Sequence, residues 1–184
     1  MFARKGLHGA RVGDIAAEAG VAHGLLYHYF KSKDELLETV FQETWDLMIE
    51  TVRSVEQAGG TARDQLRRVA AIVLRTWKRD PDLVRVLIRE VTRSPHIEHE
   101  VEDLHKAQGE LQRIIATGQE NGEFRSDVDA RLVAVLFYGA LEEFLTGWAL
   151  GTLPDSEDDV HAAERTIVEI VTAGLVAEPV VAEG

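Results

Sequence analysis

The chain contains no cysteine, which excludes disulfides, thiol nucleophiles and thiolate metal sites. Proline is scarce, at 4 of 184 residues, and no stretch alternates apolar and polar residues as a half-buried strand does. No apolar run approaches the roughly 20 residues that span a bilayer, so no membrane partner is expected, and the N-terminus lacks the apolar stretch of a signal peptide. Gly-rich phosphate loops, serine nucleophile motifs and the HExxH pattern are also missing, which argues against an enzyme. What remains is 45% hydrophobic and 28% charged residues, the balance of a soluble globular protein, with the cytoplasm as its default compartment.

Positive charge is also in short supply: 20 Lys and Arg against 32 Asp and Glu give a net charge of −12. The deficit is uneven. Up to Lys33 the bases Arg4, Lys5, Arg11, Lys31 and Lys33 outnumber the acids Asp14 and Glu18, so this segment carries +3 and the remainder −15. A basic head on an acidic body fits a nucleic-acid footprint confined to one end. Acids kept for solubility explain the body equally well.

Residues 12–33, VGDIAAEAGVAHGLLYHYFKSK, are the most informative stretch. The spacing predicts a short helix over 14–19 with Ile15 and Ala19 inward, a turn at Gly20, which tolerates the left-handed conformation, and a second short helix over 22–30. Ala16 is small enough for the two helices to cross closely, and Val21, Leu26 and Phe30 supply apolar contacts. This is the pattern of a helix-turn-helix, whose second helix enters the major groove of DNA. A plain helical hairpin shares the spacing, but here the second helix turns His23, Tyr27 and His28 outward, where a structural helix more often carries Glu and Lys. Tyr27, Tyr29, Lys31 and Lys33 cluster at one end, suiting hydroxyl and ammonium contacts to phosphate oxygens.

The run FARKGLHGARVGDIAAEAGVAHGLLYHYFKSKDELL resembles the N-terminal domain of the TetR family of one-component transcriptional regulators. The resemblance implies an all-α fold: a helix-turn-helix DNA-binding domain over 1–38, a helical effector-binding and dimerisation domain over 39–178, and a tail over 179–184. It puts Gly24, Tyr27, His28 and Tyr29 at the DNA surface, and Lys33 on a phosphate at the start of the fourth helix. Arg11 and Ala22 stand where the family usually has Thr or Ser, so the DNA-facing set is Arg11, Ala22, His23, Gly24, Tyr27, His28, Tyr29 and Lys33. Family members carry a longer first helix before the glycine matching Gly6, and Phe2 reads as its last core aromatic. Helix 1 is therefore expected to be incomplete, through start-site assignment or through a weakened DNA-binding domain.

Everything after Ser32 reads as helix. Lys33–Gln57 carries Leu36, Leu37, Val40, Phe41, Leu47, Met48, Val52 and Val55 at helical spacings, with Ser32 and Glu35 as a capping box. Further helices follow over 62–79, 81–92 and 94–121, then one capped by Asp129 that ends at Leu150, then one over 160–175. The penultimate helix, RLVAVLFYGALEEFLTGWAL, is apolar on nearly every side and so requires burial on two faces. In the family the last two helices pair with their two-fold mates in a four-helix bundle. That implies a homodimer with Gly139, Ala140, Gly147, Ile167, Ile170 and Gly174 in the seam, matched to double-stranded palindromic operator DNA.

Candidate effector contacts are the large apolar residues of the middle helices, Trp45, Met48, Trp77, Leu83, Leu87, Phe137, Phe144 and Trp148; core packing accounts for most of them without a ligand. Glu142 and Glu143 interrupt an apolar helix. At least one must reach the surface, pair with a base or line a cavity, and Glu143 is the candidate for the last role. The segments VLIREVTRS and GEFRSDVDARLVAVLFYGALEEFLTGWALG are more loosely similar to the acyl-CoA-responsive repressors of fatty-acid degradation, which implies a hydrophobic effector such as a long-chain acyl-CoA. Arg85, Arg89 and Arg93 recur every four residues and form one stripe, available to phosphates or to nearby acids. His96 and His99 share a helix face near His105 and would suit a divalent ion, although a solvated surface explains them without one. Neither metal nor cofactor is expected. The expected function is a repressor released from DNA by its ligand; the alternative is a small-molecule binding protein on the same scaffold that has lost DNA binding.

Overall fold

The computed structural model describes residues 1–91 and 97–176. They form nine α-helices: α1 (Phe2–Gly9), α2 (Val12–Ala19), α3 (His23–Tyr29), α4 (Lys33–Gln57), α5 (Ala62–Arg79), α6 (Pro81–Val91), α7 (Ile97–Glu120), α8 (Ala130–Leu150) and α9 (Glu157–Ala173). A single antiparallel bridge, Phe124 to Val176, is the only β-pairing among the described residues. The all-α expectation holds.

Helix starts follow their caps. Ser32 Oγ accepts from the Glu35 amide at 3.1 Å, but the Glu35 carboxylate reaches back to the Lys31 amide, at 2.6 Å, so the expected reciprocal box closes one residue early. A complete box does form at Ser156 and Asp159. It starts α9 at Glu157, a turn before its apolar periodicity begins. Four orphan amides at a helix start are a cost that such side-chain acceptors remove.

The main core lies around α5, which packs on α4, α6, α7, α8 and α9. Leu66, Leu74, Ile114, Ile115, Phe137, Val160 and Val168 are fully buried within it, each stabilising the fold by roughly 1.5–3 kcal/mol. A second, smaller cluster joins the head to the body: Leu37 and Phe41 of α4 and Val86 of α6, with Phe2, Ala3, Leu7 and Leu87 against them. Two expected inward positions are corrected. Leu47 is exposed and Ile49 takes its place; Ala19 is exposed and Ala16 is the buried residue of α2. In each case the buried face is rotated by a fraction of a turn from the one the apolar count favours.

By length and composition α8 is long and apolar enough to cross a bilayer, more so than the sequence reading allowed. In this fold one side of it, Val133, Ala134, Phe137, Leu141 and Trp148, is core. Its other side carries Leu132, Val135, Leu136 and Leu150 into solvent.

Candidate functional site

The head is built on a turn that only a residue free of steric cost at positive φ takes readily. Gly20 sits at φ 70° and caps α2, and the Val21 amide donates to Ala16 O at 3.0 Å. α3 is thereby held across α2 with Leu26 and Phe30 half-buried, while Ala22, His23, Gly24, Tyr27, His28 and Tyr29 are exposed. Their rings organise one another: His23 meets Tyr27 edge-on at 5.1 Å, and His28 meets Tyr29 at 5.2 Å. The outer face of α3 is thus a ridge of imidazole and phenol groups, able to donate and accept hydrogen bonds. Arg11, at the N-cap of α2, is exposed as well.

The two acids of the head are turned to α1 instead. Lys5 Nζ pairs with Asp14 at 2.8 Å, and Arg4 and the terminal amine pair with Glu18. The hydrogen bond and charge of Lys5 hold the Asp14 carboxyl below the usual carboxylate range.

Lys33 is tied to the backbone at the α1–α2 junction. Its ammonium donates to the carbonyls of Leu7 at 2.7 Å, His8 at 3.3 Å and Ala10 at 3.4 Å. Carbonyls at the end of a helix lack partners and attract a cation.

In the body, the aromatic candidates are mostly core. Trp77, Phe137 and Trp148 are buried. The Trp77 and Trp148 rings stack at 6.4 Å with 29° between planes, and Phe144 lies 5.8 Å from Trp148. Both indole N–H groups are taken by the turn between α8 and α9: Trp77 Nε1 donates to Asp155 Oδ2 at 2.9 Å, and Trp148 Nε1 to Pro154 O at 3.0 Å. Arg85 caps the stack, its guanidinium 4.9 Å from the Trp77 ring centroid, and pairs with Asp82 at 3.1 Å.

Trp45, Met48, Leu83 and Leu87 are half-buried. Leu87 belongs to the cluster joining head and body, and Leu83 lines a cleft of about 280 Å³ with Phe2, Val40, Val86, Glu18, Asp80 and Asp82. Among the described residues, Trp77, Phe137 and Trp148 thus lie in the core and Leu83 on this cleft. Glu143 is exposed, which corrects its expected place on a cavity wall. Glu142 is exposed too, yet desolvation of its carboxyl, and next the charge of Glu143, raise its pKa. Arg93, His96 and the side chains of Arg89 and His99 lie outside the described residues. His105 is exposed, and no group of three or more metal-ligating side chains is formed among the described residues.

An apolar strip covers the outside of α8 and α9. Leu132, Val135, Leu136 and Ile170 are exposed, the last two at 69% and 70%, with Gly139 and Gly174 exposed beside them and Ala140 half-buried. The helical spacing of Leu132, Val135 and Leu136, opposite the core face, was the available sequence signal for this strip. Two expected seam residues are corrected. Ile167 is 4% exposed, inside its own core. Gly147 is buried, and a Cβ there would come within 2.5 Å of the Leu153 side chain, so its smallness admits the returning chain.

Comparison with known proteins bears on the whole chain. Residues 1–40 match the model of bacterial regulatory proteins of the tetR family, and residues 41–174 match that of the C-terminal region of YsiA-like proteins. The fatty acid metabolism regulator protein of Bacillus subtilis (strain 168) is 27% identical over 177 residues, 95% of this chain and 90% of the relative. The transcriptional repressor KstR2 of Mycolicibacterium smegmatis is 30% identical over 140 residues, 72% of this chain and 66% of the relative. The crystal structure of the regulator FadR from Bacillus subtilis in complex with stearoyl-CoA superposes with a TM-score of 0.81 at 28% identity, covering 95% of this chain and 93% of that one. Each of these relatives is a regulator or repressor, which disfavours a ligand carrier that has lost DNA binding. The chain belongs to the tetR family of bacterial regulatory proteins and is a DNA-binding transcriptional regulator.

Proposed function

We propose that this regulator is a cytoplasmic, homodimeric repressor that a long-chain acyl-CoA releases from a palindromic operator, acting by binding and without catalysis or cofactor. The observation that carries this reading is the likeness, over 95% of the chain, to a regulator captured with stearoyl-CoA. In this reading, residues 1–38 form the DNA-binding domain and residues 39–178 bind the effector and the second protomer. DNA is read by Arg11, Ala22, His23, Gly24, Tyr27, His28 and Tyr29. The partner protomer covers the Leu132, Leu136 and Ile170 strip with its two-fold copy. Among the earlier candidates, Trp45, Met48, Leu83, Leu87 and Phe144 supply apolar contacts to the acyl chain, and Arg89 and Arg93 supply cations for the phosphates.

The body has a route to the head. Val86 and Leu87 of α6 pack with Leu37 and Phe41 of α4 and with Phe2, so a ligand that moves α6 also moves the helix leading into the head. A ligand shifts such an equilibrium only by its differential affinity for the two states. Tenfold release from DNA requires about 1.4 kcal/mol of coupling, and DNA must weaken ligand binding by the same factor. The test uses a duplex enriched by the full chain from a random-sequence pool. Stearoyl-CoA should weaken DNA binding, and the duplex should weaken stearoyl-CoA binding equally. Stearoyl-CoA that binds equally well with and without the duplex rules it out as the effector.

A further inference from the structure

We propose that Leu25 is a specificity-determining residue of the head, reading the C5 methyl group of a thymine in the major groove; the inference rests on α3 facing DNA. Leu25 is 44% exposed and belongs to neither core cluster. The inner side of α3 is held by Leu26 and Phe30, both half-buried, so Leu25 is not needed there. Nor does it fill the flank toward α2. His23 takes that flank: its ring lies against Gly13, where a Cβ would come within 3.2 Å of it, and it meets Tyr27 edge-on at 5.1 Å. At about 100° per residue, Gly24, Leu25 and His28 are left as the centre of the outward side, opposite Leu26 and Phe30.

The chemistry of α3 narrows what such a face can recognise. Its seven residues, HGLLYHY, include none of the types that pair with a base edge by charge or amide: Arg or Lys on guanine, Asn or Gln on adenine, Asp or Glu on cytosine. Imidazole, phenol and one exposed isobutyl group remain. Of the four bases, thymine alone presents an apolar group in the major groove, its methyl. Gly24 opens the approach. It has no positive φ, and a Cβ there would meet nothing within 4 Å. Neither backbone nor packing calls for a glycine, a residue that weakens a helix relative to alanine. The missing side chain leaves the Leu25 isobutyl group beside bare backbone, where a base edge can reach it.

The experiment uses the full chain and the enriched duplex, with each thymine in turn replaced by uracil, which lacks only the methyl group. The wild type is expected to bind about fourfold more weakly at one thymine or more, the effect of one apolar carbon losing its contact. The salt slope should not change, because no phosphate contact is lost. Leu25→Ala should bind the thymine duplex about fourfold or more weakly, again at the wild-type slope, and should no longer distinguish thymine from uracil at that position. Alanine is the best helix former and the site is exposed, so the variant keeps its fold. Uracil tolerated at every position, an enriched duplex with no thymine in its half-sites, or a thymine preference that survives Leu25→Ala would overturn the proposal. A Tyr27→Ala, His28→Ala double variant that binds like the wild type instead overturns α3 as the reading face, so the two failures are told apart.

Discussion

Arg53 on α4 donates from Nε to a carboxylate oxygen of Glu110 on α7 at 2.8 Å, and that carboxylate is buried while the guanidinium is half in water. Arg113 closes on the same carboxylate from the next turn of α7 and also reaches Glu56 of α4 at 3.2 Å. One buried anion thus pins the far half of α4 to α7, and the near end of α4 leads into the head. The sequence signal for Glu110 was faint: a single acid in the otherwise apolar stripe of Ala107, Leu111 and Ile114.

Removing the two arginines should cost far more than removing the acid. An Arg53→Ala, Arg113→Ala variant strands a buried charge and should lose about 2 kcal/mol or more, short of the 3–5 kcal/mol of a fully buried pair because both arginines are partly solvated. Glu110→Met leaves only solvated arginines and should be close to neutral. Urea unfolding of both variants measures the asymmetry, and equal losses would show that Glu110 is solvated in practice.

The exposed ridge of α3 should govern DNA binding. Tyr27→Ala is expected to weaken binding to all sequences by around 1 kcal/mol or more through lost phosphate and sugar contacts, while His28→Ala should also alter base preference. Gel shifts over a panel of duplexes separate the two effects.

The outer strip of α8 and α9 should hold the dimer. Leu136→Glu or Ile170→Glu places a charge on an exposed apolar face and is expected to shift sedimentation toward the monomer with little change in helicity. Ile167→Glu puts the charge in the protomer's own core and should unfold the chain instead. An unchanged dimer in both surface variants would move the interface elsewhere.

Glu142 gives the chain a pH dependence of predictable sign. Its carboxyl pKa is raised above 4.5 by desolvation and then by Glu143, so the folded state holds that proton more tightly than the unfolded state does. Its contribution to stability is present below the ordinary carboxylate value and is lost as pH rises through the raised one. Glu142→Gln should therefore melt higher than the wild type at neutral pH, with the gap closing as pH falls below 4.5. A gap that is the same at both ends would mean that the carboxyl is fully hydrated.

Helix periodicity made most of the fold legible, because a 3.6-residue pattern reports burial directly. Leu66, Val69 and Leu74 recur at helical spacing on the inner face of α5, and Gly20 marks its turn in the same direct way. What periodicity does not carry is which partner covers an apolar face. Ile167 and Ile170 look alike in sequence, yet one is core and the other is exposed. Trp77 and Trp148 read as ligand walls until their N–H groups are seen satisfied by Asp155 and Pro154, contacts that depend on the path of the turn after α8. The backbone acceptors of Lys33 in residues 7–10 are likewise set by the break at Gly6 and the extended Ala10, and no side-chain pattern announces them.

The stacked indoles also have a spectroscopic corollary. Two tryptophans 6.4 Å apart, each held by a hydrogen bond to the turn after α8, should couple as an exciton pair in far-ultraviolet circular dichroism. The signal should stay constant as long as that turn remains docked. The chain has three tryptophans, and the third, Trp45, is half-buried on α4, the helix that leads into the head. Changes in emission against a constant exciton band can then be assigned to α4. The molecule carries an optical reporter beside its head and an internal reference in its core.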